Sequence, residues 1–327
     1  MKATILGLGY YLPGKVLTNK DLERIVDTDD AWIVERSGIR ERHILAEDES
    51  CSLMAIEAAR RALQDANLDA ADLDLIIVGT VTGDMLFPAT ACLVQAELGA
   101  FNAAAFDLGA GCTGFIYALT VAEKFLLASE MRHILVVGAE AVSKVLDYTD
   151  RSTCVLFGDG AGAAVLGRSD GDDGIITSCL GADGRGAKDL YMPAGGSAIP
   201  ATPESVAQRL HYLRMNGTEI FKFATKTMTS VSDRLINQAG LTYRDIDLFI
   251  PHQANIRIIK SAAKRMKMPM DKVFVNVDRV GNTSAGSIPV ALAEAYEQGR
   301  LHKDDLIMMV AFGTGLTYGG VILRWGE

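Results

Sequence analysis

The chain is predicted to be an α/β protein of two duplicated halves, residues 1–170 and 171–327. Two observations carry that prediction. Asp72-Leu73-Asp74-Leu75-Ile76-Ile77 returns as Asp245-Ile246-Asp247-Leu248-Phe249-Ile250, and Ile134-Leu135-Val136-Val137-Gly138 as Ile307-Met308-Met309-Val310-Ala311, both at an offset of 173 (245 − 72 and 307 − 134). Ala118-Leu119 and Ala122 recur as Ala291-Leu292 and Ala295 at the same offset, so a single duplication accounts for three landmarks. Strand-like and helix-like runs also alternate, which calls for parallel-rich mixed sheets covered by helices on both faces. The halves are expected to face each other about a pseudo-twofold axis.

Taken in order, the opening Met1–Gly14 reads as a first strand, its apolar run too short for a secretory leader. Ser52–Ala66 reads as a helix, Leu73–Val78 as a strand, Thr90–Leu98 as a helix and Ala104–Leu108 as the end of a buried strand. A helix over Thr113–Ala128 and a strand over His133–Val137 complete that series. The main insertion falls around 183–215, rich in Gly, Pro and Ala. Leu306–Leu323 is the longest uncharged stretch, but Gly313, Gly315, Gly319 and Gly320 make it two strands around a turn instead of a membrane span. Gly7-Leu8-Gly9 and Gly158-Asp159-Gly160-Ala161-Gly162 open no helix, so both are read as turns and not as nucleotide fingerprints.

Composition narrows the function. The chain is 49% hydrophobic and 22% charged, enough apolar residue for a sizeable core. It carries 32 Lys and Arg against 41 Asp and Glu, a net charge of −9, which argues against nucleic acid and anionic membranes as partners. The five cysteines (51, 92, 112, 154, 179) are odd in number and form no C-x-x-C pair. Neither a disulfide framework nor a zinc site is indicated, and a reducing, cytoplasmic setting is expected.

Chemistry concentrates where a strand gives way to a helix, in Phe106-Asp107-Leu108-Gly109-Ala110-Gly111-Cys112-Thr113-Gly114. A thiol at a helix N-terminus feels the positive end of the dipole, which favours thiolate and lowers its pKa. First-turn amides there can hold an oxyanion, and the glycines leave room for substrate. The other four cysteines are read as small buried apolar residues. The repeat pairs Gly79 with His252 and Cys112 with Ala285, inside Gly281-Asn282-Thr283-Ser284-Ala285-Gly286. Ligand sites in such sheets lie beyond the carboxyl ends of strands, so Cys112, His252 and Asn282 are expected to converge. Alone, His252 could be a surface histidine and Asn282 a loop or cap residue. Together, two donors without a carboxylate partner suit holding an enolate or carbonyl oxygen.

At these residues the chain resembles the β-ketoacyl-acyl carrier protein synthase III family, over essentially its whole length. The resemblance rests on the Cys112 turn, His252-Gln253-Ala254-Asn255, Gly281–Ser287 and Ala311-Phe312-Gly313-Thr314-Gly315. It implies a thiolase-like fold layered α-β-α-β-α, a homodimer and no cofactor or metal, acyl-CoA being a substrate. It implies a Claisen condensation: Cys112 takes an acyl group, and malonyl-acyl carrier protein loses CO2 against His252 and Asn282. The oxyanion then meets the amides of Cys112 and Thr314. Matching positions assign acyl-CoA contacts to Trp32, Arg36, Arg151, Gly217 and Thr218. They place Phe87, Leu86 and Phe312 at the acyl pocket, with Phe87 reaching into the partner's pocket. Gly111, Thr314 and Thr218 stand where many relatives carry Ala, Gly and Asn, which leaves the starter group open.

The helix after His252 carries Arg257, Lys260, Lys264, Arg265 and Lys267, mostly on one broad face. With Gln253 and Lys222, it is the expected docking surface for an acidic carrier protein. Two other readings compete. An α/β-hydrolase elbow would want glycine where Ala110 stands, and would not be duplicated. A related Cys-His-Asn condensing enzyme of secondary metabolism, with another acyl donor or acceptor, fits the same residues.

Overall fold

Two runs without an exposed position, Ile134–Glu140 and Leu306–Gly313, run through the middle of two sheets. Strands covered on both faces need apolar side chains on both, so neither run alternates. A computed structural model describes residues 1–326. Its strands are β1 (Lys2–Tyr11), β2 (Lys15–Thr18), β3 (Glu41–Ile44), β4 (Leu75–Gly79), β5 (Ala104–Leu108), β6 (Ile134–Glu140) and β7 (Gly160–Ser169). Then follow β8 (Gly174–Ala182), β9 (Leu190–Tyr191), β10 (Arg214–Met215), β11 (Leu248–Pro251), β12 (Leu306–Gly313) and β13 (Thr317–Arg324).

The first sheet runs β1-β7-β6-β4-β5 and the second β11-β12-β13-β8. Their registers carry the duplication: Leu75 pairs with Ile134 in one and Leu248 with Ile307 in the other, so both partners shift by the one offset. Where β5 would recur, only the bridge Phe249–Val273 remains. The sheets are mixed. Parallel pairs β4–β5, β4–β6 and β11–β12 stand beside antiparallel β1–β7, β6–β7, β12–β13 and β8–β13, a larger antiparallel share than helix–strand alternation implied. The short turn between β12 and β13 can only send the chain back antiparallel.

Helices complete five layers. Gly114–Ala128 and Ser287–Glu297, whose first residues keep the offset of the repeat, lie between the sheets, where Ile116, Leu119, Ala291 and Leu292 join Ile77, Val136, Ile250 and Met309 in one core. Cys51–Asp65, started by Ser50 accepting the Leu53 N–H, covers the outer face of the first sheet together with Thr90–Leu98. Gly217–Ala239 covers the second, and Ile256–Met266 packs on it. The stretch 111–128 is long and apolar enough to cross a membrane, yet it is mostly buried in this core.

Both glycine readings are corrected: in the second, Gly158 precedes β7, but Gly160 and Gly162 lie inside it, paired with Glu140 and Gly138 of β6. Gly7 and Gly9 are not in a turn but inside β1. A Cβ on Gly7 would stand 2.4 Å from Ala66 N, and one on Gly9 2.4 Å from Ala58 O, so both glycines let the outer helix lie directly on the strand.

Candidate active site

Cys112 sits in a single 3-10 turn, Gly111–Thr113, between β5 and the inner helix Gly114–Ala128. Gly111 takes φ +51°, the left-handed turn that points the chain into the helix. The β12–β13 turn presses against it: a Cβ on Gly313 would lie 2.7 Å from Cys112 N. Thr317 Oγ1 bridges the Ala110 and Thr314 carbonyls, 2.9 Å from each, and so pins the two turns together. The Thr314 amide is thereby held beside the Cys112 turn.

The thiol does not behave as its helix position implied. Burial pushes Cys112 up to about 12; a hydrogen bond from Ser284 opposes the rise, and nearby Glu140 adds to it. Desolvation of the thiolate outweighs the helix terminus, and the resting group is a protonated thiol. Of the remaining cysteines, Cys51, Cys154 and Cys179 are buried as expected, but Cys92 is exposed on the outward face of its helix.

His252 follows β11 directly and is buried, which lowers it to about 3. It is therefore a neutral imidazole at any physiological pH. Its tautomer follows from Ser287, whose Oγ accepts the Gln253 N–H at 2.7 Å and stands 2.9 Å from His252 Nδ1. That oxygen accepts the amide and still needs an acceptor for its own buried proton; Nδ1 lies within reach, and with the proton donated there Nε2 is left as the N–H donor. Phe312 packs edge-on against the ring, 5.3 Å between centroids. Asn282 is oriented in the same manner: its Oδ1 accepts the Ser284 N–H at 2.9 Å, which leaves its amide N–H groups to donate elsewhere.

Cys112, His252 and Asn282 line one cavity of about 290 Å³ together with Phe312, Trp32, Arg36 and Gly217. A second cavity, about 280 Å³, opens from the other side of Cys112 among Val81, Val142, Val145, Leu213 and Thr314. Leu190 and Phe157 line both, so the thiol stands where two chambers meet. The insertion at 183–215 supplies Leu190, Tyr191, Met192 and Leu213 to the second chamber, a role that its composition did not reveal.

The chain matches a family model described as 3-oxoacyl-[acyl-carrier-protein (ACP)] synthase III over residues 106–184, and that family's C-terminal model over 236–325. The β-ketoacyl-[acyl-carrier-protein] synthase III of Syntrophomonas wolfei is 60% identical over 327 residues, covering 100% of this chain and 98% of its own. The chain belongs to the β-ketoacyl-acyl carrier protein synthase III family. The synthase III of Caldanaerobacter subterraneus is 56% identical, over 99% of this chain and 98% of its own. Crystal structures of the Aquifex aeolicus and Thermus thermophilus synthases III superpose with TM-scores of 0.91 and 0.92 at 47% and 48% identity. They cover 99% of this chain, and 100% and 99% of their own. The thiolase fold expected from the sequence is thus the fold of this chain and its family.

Other expected site residues of the synthase III fall in varied places. Arg151 stacks over Trp32 at 5.2 Å and Arg36 lies 5.8 Å from the same ring, although Arg151 lines neither cavity. Thr218 is exposed at the start of its helix and lines neither cavity. Leu86 and Phe87, 83% and 82% exposed, also stand clear of both cavities of their own chain. Phe312 belongs to the His252 chamber, not to the second one.

On the basic helix, Arg257, Lys260, Lys264 and Arg265 are exposed, and Lys222 is exposed beside Glu219. Gln253 is a correction. It is fully buried, its side chain donating to the Pro251 and Phe274 carbonyls and accepting from the Asn276 and Val277 N–H groups, so it cannot meet a carrier protein. Among the described residues no cluster of three or more His, Cys, Asp or Glu could hold a metal.

Sequence reasoning missed Ser287, Ser284 and Glu140. The repeat held a signal for two of them: Ser284 is the counterpart of Gly111, and Glu140 of Gly313, each at the offset that relates the two halves.

Proposed function

We propose that Cys112, His252 and Asn282 divide the work of joining an acyl-CoA starter to malonyl-acyl carrier protein, with release of CoA and CO2. The chain is an acyltransferase of fatty acid synthesis, and this is its initiating condensation. One observation carries the division of labour: the thiol and two oriented neutral donors share one chamber, and the imidazole is too deeply buried to charge.

Cys112 Sγ attacks the acyl thioester, and the C–S bond to CoA breaks as the acyl-cysteine forms. The amides of Cys112 and Thr314 hold the oxyanion of that step. Malonyl thioester then enters the same chamber, and loss of CO2 leaves an enolate whose oxygen accepts from His252 Nε2–H and an Asn282 amide N–H. A donor that stays neutral stabilises this developing charge without giving up its proton. The enolate carbon attacks the acyl-cysteine, and collapse yields the β-ketoacyl-carrier product and the Cys112 thiolate, which takes up one proton from solvent to restore the resting thiol.

Trp32, Arg36 and Arg151 suit the base and phosphates of CoA, with Gly217 and Thr218 near its arm. Two surfaces stacked on one base need about twice the ~3.5 Å contact distance. At 5.2 Å from the ring, Arg151 must swing aside to admit one. The second chamber receives the acyl chain, and Leu86 and Phe87 reach toward the acyl chamber of a partner in a homodimer. Arg257, Lys260, Lys264, Arg265 and Lys222 form the carrier-protein surface. The halves 1–170 and 171–327 are the structural units, one bearing the nucleophile and the other both donors. A cytoplasmic setting accords with free thiols at all five cysteines.

The test is intact-protein mass after exposure to acetyl-, isobutyryl-, hexanoyl- and benzoyl-CoA. One acyl group is expected on the wild type and none on Cys112→Ser, with malonyl-acyl carrier protein discharging it as a β-ketoacyl product. Absence of loading from every CoA would overturn the reading.

A further inference from the structure

Beside the nucleophile, in the second chamber, lies a buried carboxyl group that the condensation above does not use. Glu140 ends β6, the strand next to the one that ends at Gly79, and is fully buried. Ser284 Oγ stands 3.2 Å from Glu140 Oε1 and 3.3 Å from Cys112 Sγ. A hydroxyl has one proton, so it cannot donate to both. Ser284 is placed to donate to either group; with its proton on Glu140, its oxygen is free to accept the Cys112 S–H across the same 3.3 Å. The three groups then form a continuous path for one proton.

The backbone supports a placed group, not a chance contact. Ser284 adopts φ +51°, the same left-handed value as its repeat counterpart Gly111. Glycine takes that conformation without strain, whereas serine there is strained. The Asn282 side chain holds Ser284 in this conformation through its N–H. The remaining lone pairs of Glu140 are taken by Thr82 and Thr80 hydroxyls and the Val81 N–H at 3.3 Å, which fix the carboxyl and aim Oε1 at Ser284. The second chamber is otherwise largely apolar around this end, so its polar floor is Glu140, Thr82 and Ser284.

We propose that Glu140, acting through Ser284, receives the Cys112 proton as the acyl-enzyme forms. The inference rests on the acyl-transfer reading above and deepens its first half. As Sγ bonds to the acyl carbon, the S–H proton passes to Ser284 Oγ and the Ser284 proton passes to Glu140 Oε1. When the C–S bond to CoA breaks, the same path returns the proton to the departing thiolate, so CoA leaves as a thiol and Glu140 is a carboxylate again. Glu140 is a positioning and proton-holding residue that acts on the thiol through Ser284. This supplies what the geometry of Cys112 lacks, since burial leaves the resting thiol protonated and His252 has its Nδ1 occupied by Ser287.

The groups facing Glu140 limit what else could titrate in its place. They are Cys112 and, across Thr80, the Cys51 thiol, with Asp84 and Asp107 beyond Cys51. Burial pushes Cys51 above the range of interest and lifts Glu140 to about 7.

The experiment is single-turnover acylation from pH 5.5 to 9, read by intact-protein mass, with whichever of acetyl-, isobutyryl-, hexanoyl- and benzoyl-CoA loads fastest. In the wild type the rate should climb with pH and level off above an inflection near that of Glu140. Glu140→Gln should slow acylation by ~10²-fold, the usual worth of a general base, and remove the inflection. Ser284→Ala should do the same with the carboxylate still held by Thr80, Thr82 and Val81, and it decides the matter if Glu140→Gln fails to fold. Glu140→Asp should keep an inflection. Wild type that loads, with an unchanged pH profile in a folded Glu140→Gln or in Ser284→Ala, overturns the relay alone. Wild type that never loads overturns the acyl-transfer reading instead.

Discussion

A Cβ placed on Gly111 would stand 2.3 Å from the Thr314 Cγ2 methyl, so this methyl fills the space that a side chain at 111 would occupy. Thr314 is in turn tied by its hydroxyl to the Leu190 carbonyl. Gly111 and Thr314 both line the second chamber beside Cys112, so they work as a pair. Gly111→Ala alone should push the Thr314 turn off the nucleophile and cost about 10²-fold in acylation, the scale of a 1 Å misplacement. Gly111→Ala with Thr314→Gly should recover the part of the loss due to the methyl clash, leaving the part due to the left-handed φ of +51° at 111. A double-mutant cycle on acylation rate measures this, and simple additivity would refute the coupling.

Ser287 dictates which nitrogen of His252 carries the proton. Without its hydroxyl the tautomer is free, and the Nε2–H donor is no longer enforced. Ser287→Ala should therefore lower decarboxylation of malonyl thioester by roughly 10-fold, the scale of one hydrogen bond. Acylation of Cys112 should suffer much less. Comparing the two half-reactions checks it; equal losses in both would point to a general packing defect.

Two buried groups should pull stability in opposite directions with pH. His252 is lowered from 6.5 to about 3, so the unfolded chain binds more protons between those values and stability falls as pH drops through them. Glu140 is raised from 4.5 to about 7, so the folded chain binds more protons there and stability falls as pH rises from 4.5 to 7. Glu140→Gln should remove the second slope and leave the first. Thermal melts of both proteins from pH 4 to 8 read the difference, and parallel curves would show that Glu140 ionises as it does in the unfolded chain.

The exposed Lys260 and Lys264 lie on one face of Ile256–Met266, near the His252 chamber, which that helix lines with Ile258. Lys260→Glu with Lys264→Glu should reduce kcat/KM for malonyl-acyl carrier protein by roughly 10-fold at low salt, and the difference should shrink as salt screens the charges. KM for acyl-CoA should barely move. A loss on acyl-CoA of the same size would place this face at the CoA entrance instead.

The elements, their duplication and the three residues proposed to carry the reaction are legible in the order of amino acids alone. Alternating helical and strand runs, glycines at a strand-to-helix turn and a constant offset between halves are local or repeating patterns. They survive without knowledge of what packs on what, and so Leu75–Ile134 and Leu248–Ile307 pair in the register the repeat implied. Cys112, His252 and Asn282 were legible because the constant offset places their turns at equivalent points of the two halves, even though the strand that precedes Cys112 is replaced before Asn282 by the short helix Val277–Val280.

Their environment comes from packing. Ser284 meets Cys112 across 172 residues and Glu140 across 144, contacts made by one half packing on the other. The rise of the thiol, the neutrality of His252 and the burial of Gln253 all depend on how much water the folded layers remove. Desolvation has no signature in a run of residues. Gly7 and Gly9 show the same limit, since a glycine admitting a helix onto a strand looks, in sequence, like a glycine in a turn. Local pattern selects which groups are present; burial and contact across the duplicated halves set which of them hold a proton.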